Sequence, residues 1–419
     1  MSENFNALKK YNYWEGGPIK TGYLREDYLE KIQKILGNRL VKVLVGQRRT
    51  GKSYLLRQII QLLIDQGINT KNICYLNKEM FEFNAVAEGN DLFDLVEEYS
   101  KQINPRGRIY LMLDEVQSIN GWEKVVNSYA QNPKMEVEVF ITGSNSTLLS
   151  GELATWLSGR YVTFTVFPFS FREYTGFLGK KPNREMMIRY LKSGGMPELM
   201  YIPDEEMKQN YICSLRDTIL LRDIVQRYHI KDAWLLENLF NYLVSQTGRL
   251  FSVNNIVNYF NSQKLNTNHE TISYYLQYLK QSYLIHEVPR YHIKAKEILS
   301  GVKKYYLNDV SFRNYAQLRI ETGLSQNIEN MVFLHFLMAD YKIYVGAMAN
   351  REVDFIIEKG NERQYIQATY LLADQDVILR EFGNLEAISD HYPKKVISLD
   401  DASIGIRNGI EHLCAWMME

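Results

Sequence analysis

Few folds accommodate the run GQRRTGKS, Gly46 to Ser53, in the setting where it stands. It has the GxxxxGK[ST] spacing, in which glycines allow a tight backbone path and successive N–H groups converge on an anion. Leu40 to Val45 (LVKVLV) reads as a buried strand leading straight into it. Beyond Lys52 the apolar residues Leu55, Leu56, Ile59, Ile60, Leu62 and Leu63 recur at helical spacing and stop at Gly67, a suitable C-cap. Strand, glycine loop and helix are therefore expected in that order, with loop amides and the helix N-terminus facing phosphate. Gly46, Gln47, Arg48, Arg49, Thr50, Gly51, Lys52, Ser53 and Tyr54 form the candidate ATP-binding run. In it Lys52 would reach the β and γ phosphates, and the Ser53 hydroxyl would ligate Mg²⁺. The plainer alternative is a glycine turn between any strand and any helix.

Ile109 to Leu113 (IYLML) reads as a second buried strand, ending in Asp114 and Glu115 in the manner of a Walker B strand. Asp114 is placed to hold Mg²⁺ through its water shell and Glu115 to orient and activate an attacking water. An ordinary strand exit capped by solvated acids is the alternative. With no NKxD-type guanine-reading motif, the Asp-Glu pair favours an ATP hydrolase over a GTPase. Val137 to Thr142 (VEVFIT) runs into GSNS, which puts Thr142, Ser144 and Asn145 where a γ-phosphate sensor would sit. Ser144 is the preferred candidate, against a plain strand-to-helix turn. Arg160, in LSGR, is a candidate arginine finger acting in cis or across a subunit boundary, a device that contributes roughly 10³–10⁵ in rate. A surface salt bridge is its alternative. The LLSGEL run follows the second strand, whereas the similar signature of ABC transport ATPases precedes it, and no kinase acceptor motif is present.

The runs GQRRTGKS, LMLDEVQ, FITGSNS, LLSGELATWLSGRYVTFTVFPFSFREY and GGMPEL together resemble a family of prokaryotic AAA-type ATP-binding proteins. These carry a C-terminal domain of unknown function related to restriction-endonuclease folds. The resemblance extends over nearly the whole chain. It implies an additional-strand α/β P-loop core, with the sensor strand between the two nucleotide-site strands, together with ATP binding, a winged-helix segment and a nuclease-like end.

A length of 419 residues exceeds the size at which one core usually keeps growing, so several domains are expected. They are assigned as a P-loop ATPase domain (1–167), a helical lid or linker (168–228), a winged helix (229–303) and an inactive nuclease-like domain (304–419). Lys+Arg and Asp+Glu both number 49, which argues against broad attraction to DNA or anionic membranes while leaving room for a local patch. Cys74, Cys213 and Cys414 lack metal-like spacing and suit a reducing cytosol. The polar opening MSENFNALKK does not read as a signal peptide, and His335, Asp340 and Lys342 break the most apolar later segment. A cytoplasmic protein without a membrane span is expected.

After Phe167 and Pro168 the chain reads as smaller helical units. A helix from Ala233, a second capped by Ser252, a third in TISYYLQYLKQ and the strand-like YLIHEV and KKYYLN follow the order of a winged helix-turn-helix. Its third helix would offer Ser273, Tyr274, Gln277 and Lys280 to double-stranded DNA. A role as a lid or protein-docking module is the alternative, because the helix carries little positive charge. Toward the end come a helix (Asn327 to Ala339), three strand-like pieces, a helix (Asp376 to Ile388) and the strand KKVISLD, an order similar to the restriction-endonuclease-like core. Glu329 and Asp354 match its first two acids. The ExK position instead reads Gln367, Ala368, Thr369, so metal-dependent phosphodiester cleavage is not expected.

Three functions are weighed. The first is an ATP- and Mg²⁺-driven switch that repositions the later domains. The second is an ATP-coupled DNA-binding or DNA-processing enzyme. The third is a nucleotide-stabilised interaction protein, with a protein partner or self-association and little turnover.

Overall fold

Buried strands joined by helices that return the chain to the same edge must pair in parallel. Strands β1 (Val41–Val45), β2 (Ile73–Asn77), β3 (Ile109–Asp114), β4 (Val137–Gly143) and β5 (Tyr161–Thr165) do so, in the order β2-β3-β4-β1-β5. They belong to the first of two compact units in the computed structural model, Met1–Val166 and Phe167–Glu419; the residues described are 2–149, 157, 159–316, 323–348 and 351–418. The expected insertion of the sensor strand is present, with β4 between β1 and β3.

Five helices accompany this sheet among the described residues: α1 (Glu3–Tyr11), α2 (Glu26–Gln33), α3 (Lys52–Asp65), α4 (Gly89–Ile103) and α5 (Trp122–Gln131). The apolar stripe of α3 read from the sequence faces the strands. Leu55, Leu56, Ile59, Ile60 and Leu63 form one buried cluster with Leu44, Met112 and Phe140. Each such side chain contributes about 1.5–3 kcal/mol on burial, so the helix following the glycine loop is fixed mainly by packing. It stops before Gly67, whose φ of +86° is the left-handed conformation expected of a terminating glycine.

The second unit opens with α6 (Phe171–Phe177), α7 (Arg184–Ser193) and α8 (Glu205–Thr218), which continues into a π-helix (Ile219–Gln226) where regular helix is expected. Then follow α9 (Ala233–Ser245), β6 (Leu250–Phe251), α10 (Val253–Ser262), α11 (His269–Gln281) and a hairpin of β7 (Ile285–His292) and β8 (Glu297–Leu307). Ser252 caps α10 by accepting from the Asn255 N–H, as its position implies. The rest comprises α12 (Ser311–Ala316), α13 (Leu324–Met338), β9 (Lys342–Met348), β10 (Arg351–Lys359), β11 (Glu362–Ala368), α14 (Gln375–Glu386), β12 (Lys394–Ser398), β13 (Ile406–Arg407) and β14 (Ile410–Cys414). Strands β9, β10 and β11 run antiparallel, while α14 leads to β12, parallel to β11. Because β7 also pairs with β9, hairpin and meander share one nine-stranded sheet, and the boundary expected between 303 and 304 falls inside β8.

The GGMPEL run has a packing explanation in this unit. Asp309 accepts from the Gly195 N–H at 2.7 Å and the Ser311 N–H at 2.8 Å, and burial pushes its carboxyl up to about 6. Gly194, at φ +77°, lies so close that a Cβ there would stand 2.1 Å from Asp309 Oδ1.

One ion pair interrupts the apolar interior of the first sheet. Lys42 of β1 and Glu138 of β4 meet at 2.5 Å with both side chains fully buried, and Lys42 also donates to Asn38 Oδ1 at 2.8 Å. Removing one member of a buried pair strands the other charge, at about 3–5 kcal/mol, whereas an apolar replacement of both is often near neutral. Glu138 keeps Arg108 at 3.6 Å and the Gly37 N–H at 3.0 Å, so Lys42→Ala is expected to lower unfolding stability by no more than the lower end of that range, about 3 kcal/mol, and Lys42→Met with Glu138→Leu to recover most of it. Denaturant titration checks this; equal losses in the single and double variants would contradict it.

Candidate nucleotide-binding site

The loop after β1 is held by close backbone contact. Val166 N–H donates to the Val45 carbonyl at 2.7 Å, and a Cβ on Gly46, whose φ is +153°, would sit 2.2 Å from the Val166 carbonyl oxygen. Only glycine fits there. Gly51, at φ +94°, caps α3, so the loop opens onto the helix N-terminus. Lys52 is buried, and its ammonium donates to the loop's own carbonyls, Gly46 at 3.1 Å and Gln47 at 2.9 Å, with Glu115 Oε1 at 3.8 Å. A phosphate in the loop would compete for those donors. Thr50 folds back onto the Gln47 carbonyl at 3.0 Å, Arg48 pairs with Glu79 at 3.0 Å, and exposed Tyr54 lies beneath the Arg57 guanidinium.

Sequence reading passed over Arg25, which fastens this loop, and Gln58, which holds the Arg25 segment by accepting from the Arg25 N–H at 3.0 Å. Arg25 donates to the Thr50 carbonyl at 3.2 Å, and Gln58 of α3 donates to the carbonyls of Thr21 and Tyr23, both at 2.7 Å. A glutamine on the buried face of α3 was the available signal.

Asp114 ends β3 and is fully buried. Three hydroxyls reach its carboxylate: Thr142 at 2.5 Å, Tyr75 at 3.1 Å, and Ser53. Burial pushes its carboxyl above the usual range and the Glu115 charge adds to this, while the hydroxyls pull the other way. Thr142 serves twice, because its oxygen also accepts from the Glu115 N–H at 2.9 Å. Glu115 takes a left-handed backbone, φ +55°, and its carboxylate accepts from Gln117 Nε2. Ser144 and Asn145 are buried, with Ser144 Oγ 3.4 Å from the same Gln117 nitrogen. Lys52, Ser53, Asp114, Glu115, Thr142 and Ser144 are thus brought together.

Arg160 is not, and of the readings weighed for it, a finger in cis, a finger across a subunit boundary or a surface contact, the first does not fit where it stands. It precedes β5, whose start pairs with the start of β1 (Val41 with Tyr161), whereas the glycine loop follows the other end (Val45 with Thr165). A five-residue strand spans roughly 13–17 Å, beyond an arginine's reach. Its guanidinium lies 3.5 Å from Asn127 Oδ1 instead.

In the second unit, Glu329 and Asp354 do converge, on a lysine that sequence reading missed. Lys304 of β8 lies 2.9 Å from Glu329, 2.7 Å from Glu352 and 3.5 Å from Asp354. Burial opposes its charge, yet Glu329, Asp354 and Glu352 together hold the ammonium above the ordinary lysine range. Burial also raises the Asp354 carboxyl well above its usual range, with Glu329 reinforcing the effect and Lys304 opposing it. Gln367 accepts from the Asp354 N–H at 3.3 Å, and Asp354 Oδ2 accepts from the Ala368 N–H at 2.9 Å.

On helix α11, Tyr274 and Gln277 are exposed, Ser273 is bonded to the His269 carbonyl at 2.7 Å, and Lys280 pairs with Glu287 at 3.2 Å. No helix among the described residues is long and apolar enough to cross a membrane.

A family described as an AAA domain matches residues 38–175, and a domain of unknown function (DUF8612) matches residues 184–326. The chain thus carries an AAA-type P-loop nucleoside-triphosphatase domain, a nucleotide-binding fold. An uncharacterized protein of Haemophilus influenzae is 34% identical over 378 residues, spanning 89% of this chain and 92% of that one. This chain belongs to the same family as that protein. An uncharacterized protein of Methanocaldococcus jannaschii is 29% identical, over 88% of this chain and 84% of its own. Among solved structures, Cdc6p from Pyrobaculum aerophilum aligns over 69% of this chain and 91% of its own, at 13% identity and a TM-score of 0.32, a likeness too slight to bear on function.

Thr142 carries two bonds at the site, so Thr142→Val should leave Asp114 and the Glu115 N–H each short of a partner. The expected loss is about 1–3 kcal/mol in denaturant unfolding, with weakened Mg·ATP binding. Unchanged stability together with unchanged affinity would remove Thr142 from this role.

Proposed function

We propose that the protein is a Mg²⁺-dependent ATPase that uses nucleotide binding and hydrolysis as a switch on its second unit. The observation that carries this reading is the buried Asp114 carboxylate, which meets Ser53 at the start of α3 and lies next to Glu115 in sequence. Ser53 and Asp114 are hard oxygen donors and suit Mg²⁺, which binds through one or two protein oxygens and keeps several waters. A divalent ion there would also offset a carboxylate charge held out of water. Lys52 leaves the loop carbonyls for the β and γ phosphates, Glu115 orients and deprotonates the attacking water, and Ser144 senses the γ phosphate. Magnesium, when bound, neutralises charge on the phosphates. Arg160, at the end of the strands opposite the glycine loop, acts only on a second copy of the chain, which makes self-association part of the reading.

In the second unit the order α9, β6, α10, α11, β7, β8, with β6 on β8, supports a winged helix-turn-helix. The order α13, β9, β10, β11, α14, β12 supports a restriction-endonuclease-like fold. The Lys304 ammonium among Glu329, Glu352 and Asp354, with Gln367 and Thr369 where an acid and a lysine would act, supports a non-cleaving module for binding or assembly. A second reading, ATP-coupled DNA binding in the cytoplasm, draws on exposed Tyr274 and Gln277 of α11. The engagement of Lys280 with Glu287 weakens it, since phosphate attraction dominates DNA affinity.

ATP turnover of wild type, Lys52→Ala and Glu115→Gln, each with and without duplex DNA, separates these readings. The switch predicts DNA-independent turnover, lost on Lys52→Ala together with ATP affinity. On Glu115→Gln, turnover falls by about 10²–10⁴ with affinity kept. Tight ATP binding with no difference in hydrolysis between wild type and Glu115→Gln would instead favour a silent interaction protein.

A further inference from the structure

Gln117 lies on the short turn Val116–Ser118, two residues beyond Glu115 and outside every role assigned above. The Glu115 backbone before it is pinned on both sides: its N–H donates to Thr142 Oγ1 at 2.9 Å and its carbonyl accepts from the Ser118 N–H at 3.3 Å. A left-handed backbone at a non-glycine residue costs on the order of 1–2 kcal/mol, so this turn is kept at some expense. Its result is that the carboxylate is spanned. Oε1 faces the Lys52 ammonium at 3.8 Å, and Oε2 accepts from Gln117 Nε2.

The same amide nitrogen lies 3.4 Å from Ser144 Oγ. Its two hydrogens can therefore serve the acid of one strand end and the serine beyond the neighbouring strand at once. Space for the glutamine comes from Gly143, where a Cβ would stand 2.9 Å from Gln117 Oε1. That carbonyl oxygen is buried and has no hydrogen-bond partner among the described residues. Leaving a buried acceptor unsatisfied costs about 1–3 kcal/mol, and a side chain kept in place despite that cost calls for a reason. An amide neither gives up nor takes a proton at neutral pH, so it can orient a carboxylate without joining the proton transfer.

We infer that Gln117 is a positioning residue that clamps the Glu115 carboxylate and ties its orientation to Ser144. The inference rests on the ATPase reading. Gln117 acts through Glu115: it sets the direction in which the carboxylate meets the attacking water, and displacement of Ser144 is passed on to the base through the shared amide. It makes no contribution to holding ATP.

A double-mutant cycle on the full chain, read by ATP turnover and calorimetric ATP affinity, tests this. Gln117→Ala should lower kcat by about 10- to 100-fold while KM and ATP affinity stay within about twofold. Gln117→Glu, the same shape without N–H donors, should fall as far. In a Glu115→Gln background Gln117→Ala should add no further loss, because the group it positions is already gone. Wild-type turnover in Gln117→Ala, a parallel loss of ATP affinity, or a loss that multiplies in the Glu115→Gln background would each overturn the inference and leave the ATPase reading intact. A wild-type protein that hydrolyses no ATP would remove both.

Discussion

A carboxylate kept out of water at the end of β3 organises the first unit. Asp114 collects hydroxyls from β2 through Tyr75, from β4 through Thr142 and from α3 through Ser53. An unpaired charge at that depth would be too costly to keep, so each hydroxyl helps fix the element that carries it. The strand order matters for this reason: with β4 inserted between β3 and β1, Thr142 lies beside both Asp114 and the Glu115 N–H. The packing of α3 onto Leu44, Met112 and Phe140 then holds the Lys52 and Ser53 end of the helix against the same acids.

The second unit handles buried acid differently. Glu329, Glu352 and Asp354 all face one cation, and that cation is Lys304 of the chain itself. Tyr306 donates a further bond to Glu329 at 2.7 Å. The cluster therefore joins β8 to α13 and β10, with all its members after the boundary expected between 303 and 304. In the first unit, on the function proposed above, the compensating charge arrives with the nucleotide as Mg²⁺; in the second it is built in. That contrast gives one unit a ligand-dependent site and the other a fixed one.

What the sequence made legible was local. The glycine loop, the helix ending before Gly67, the acids closing β3 and the cap at Ser252 each depend on neighbours within a few residues, and patterns of that range survive in a string of letters. What escaped it depends on register between distant segments. Thr142 and Ser144 both looked like sensor candidates, and only the pairing of β3 with β4 distinguishes the one that holds two backbone and side-chain partners. Arg160 was weighed as a finger, yet it precedes β5 at the end of the parallel strands opposite the glycine loop. Lys42 sat inside an apolar strand with no local hint of Glu138, which lies 96 positions away. Lys304 was passed over because the expected lysine belonged on β11, not on the hairpin.

Titration calorimetry of the full chain with ATP, with and without Mg²⁺, on wild type and Asp114→Asn, probes the buried acid directly. The predicted result is saturable binding to wild type that Mg²⁺ strengthens by at least about tenfold, with that enhancement lost in Asp114→Asn while the metal-free affinity persists. No binding of Mg·ATP to wild type, or the same Mg²⁺ enhancement in both proteins, would contradict it.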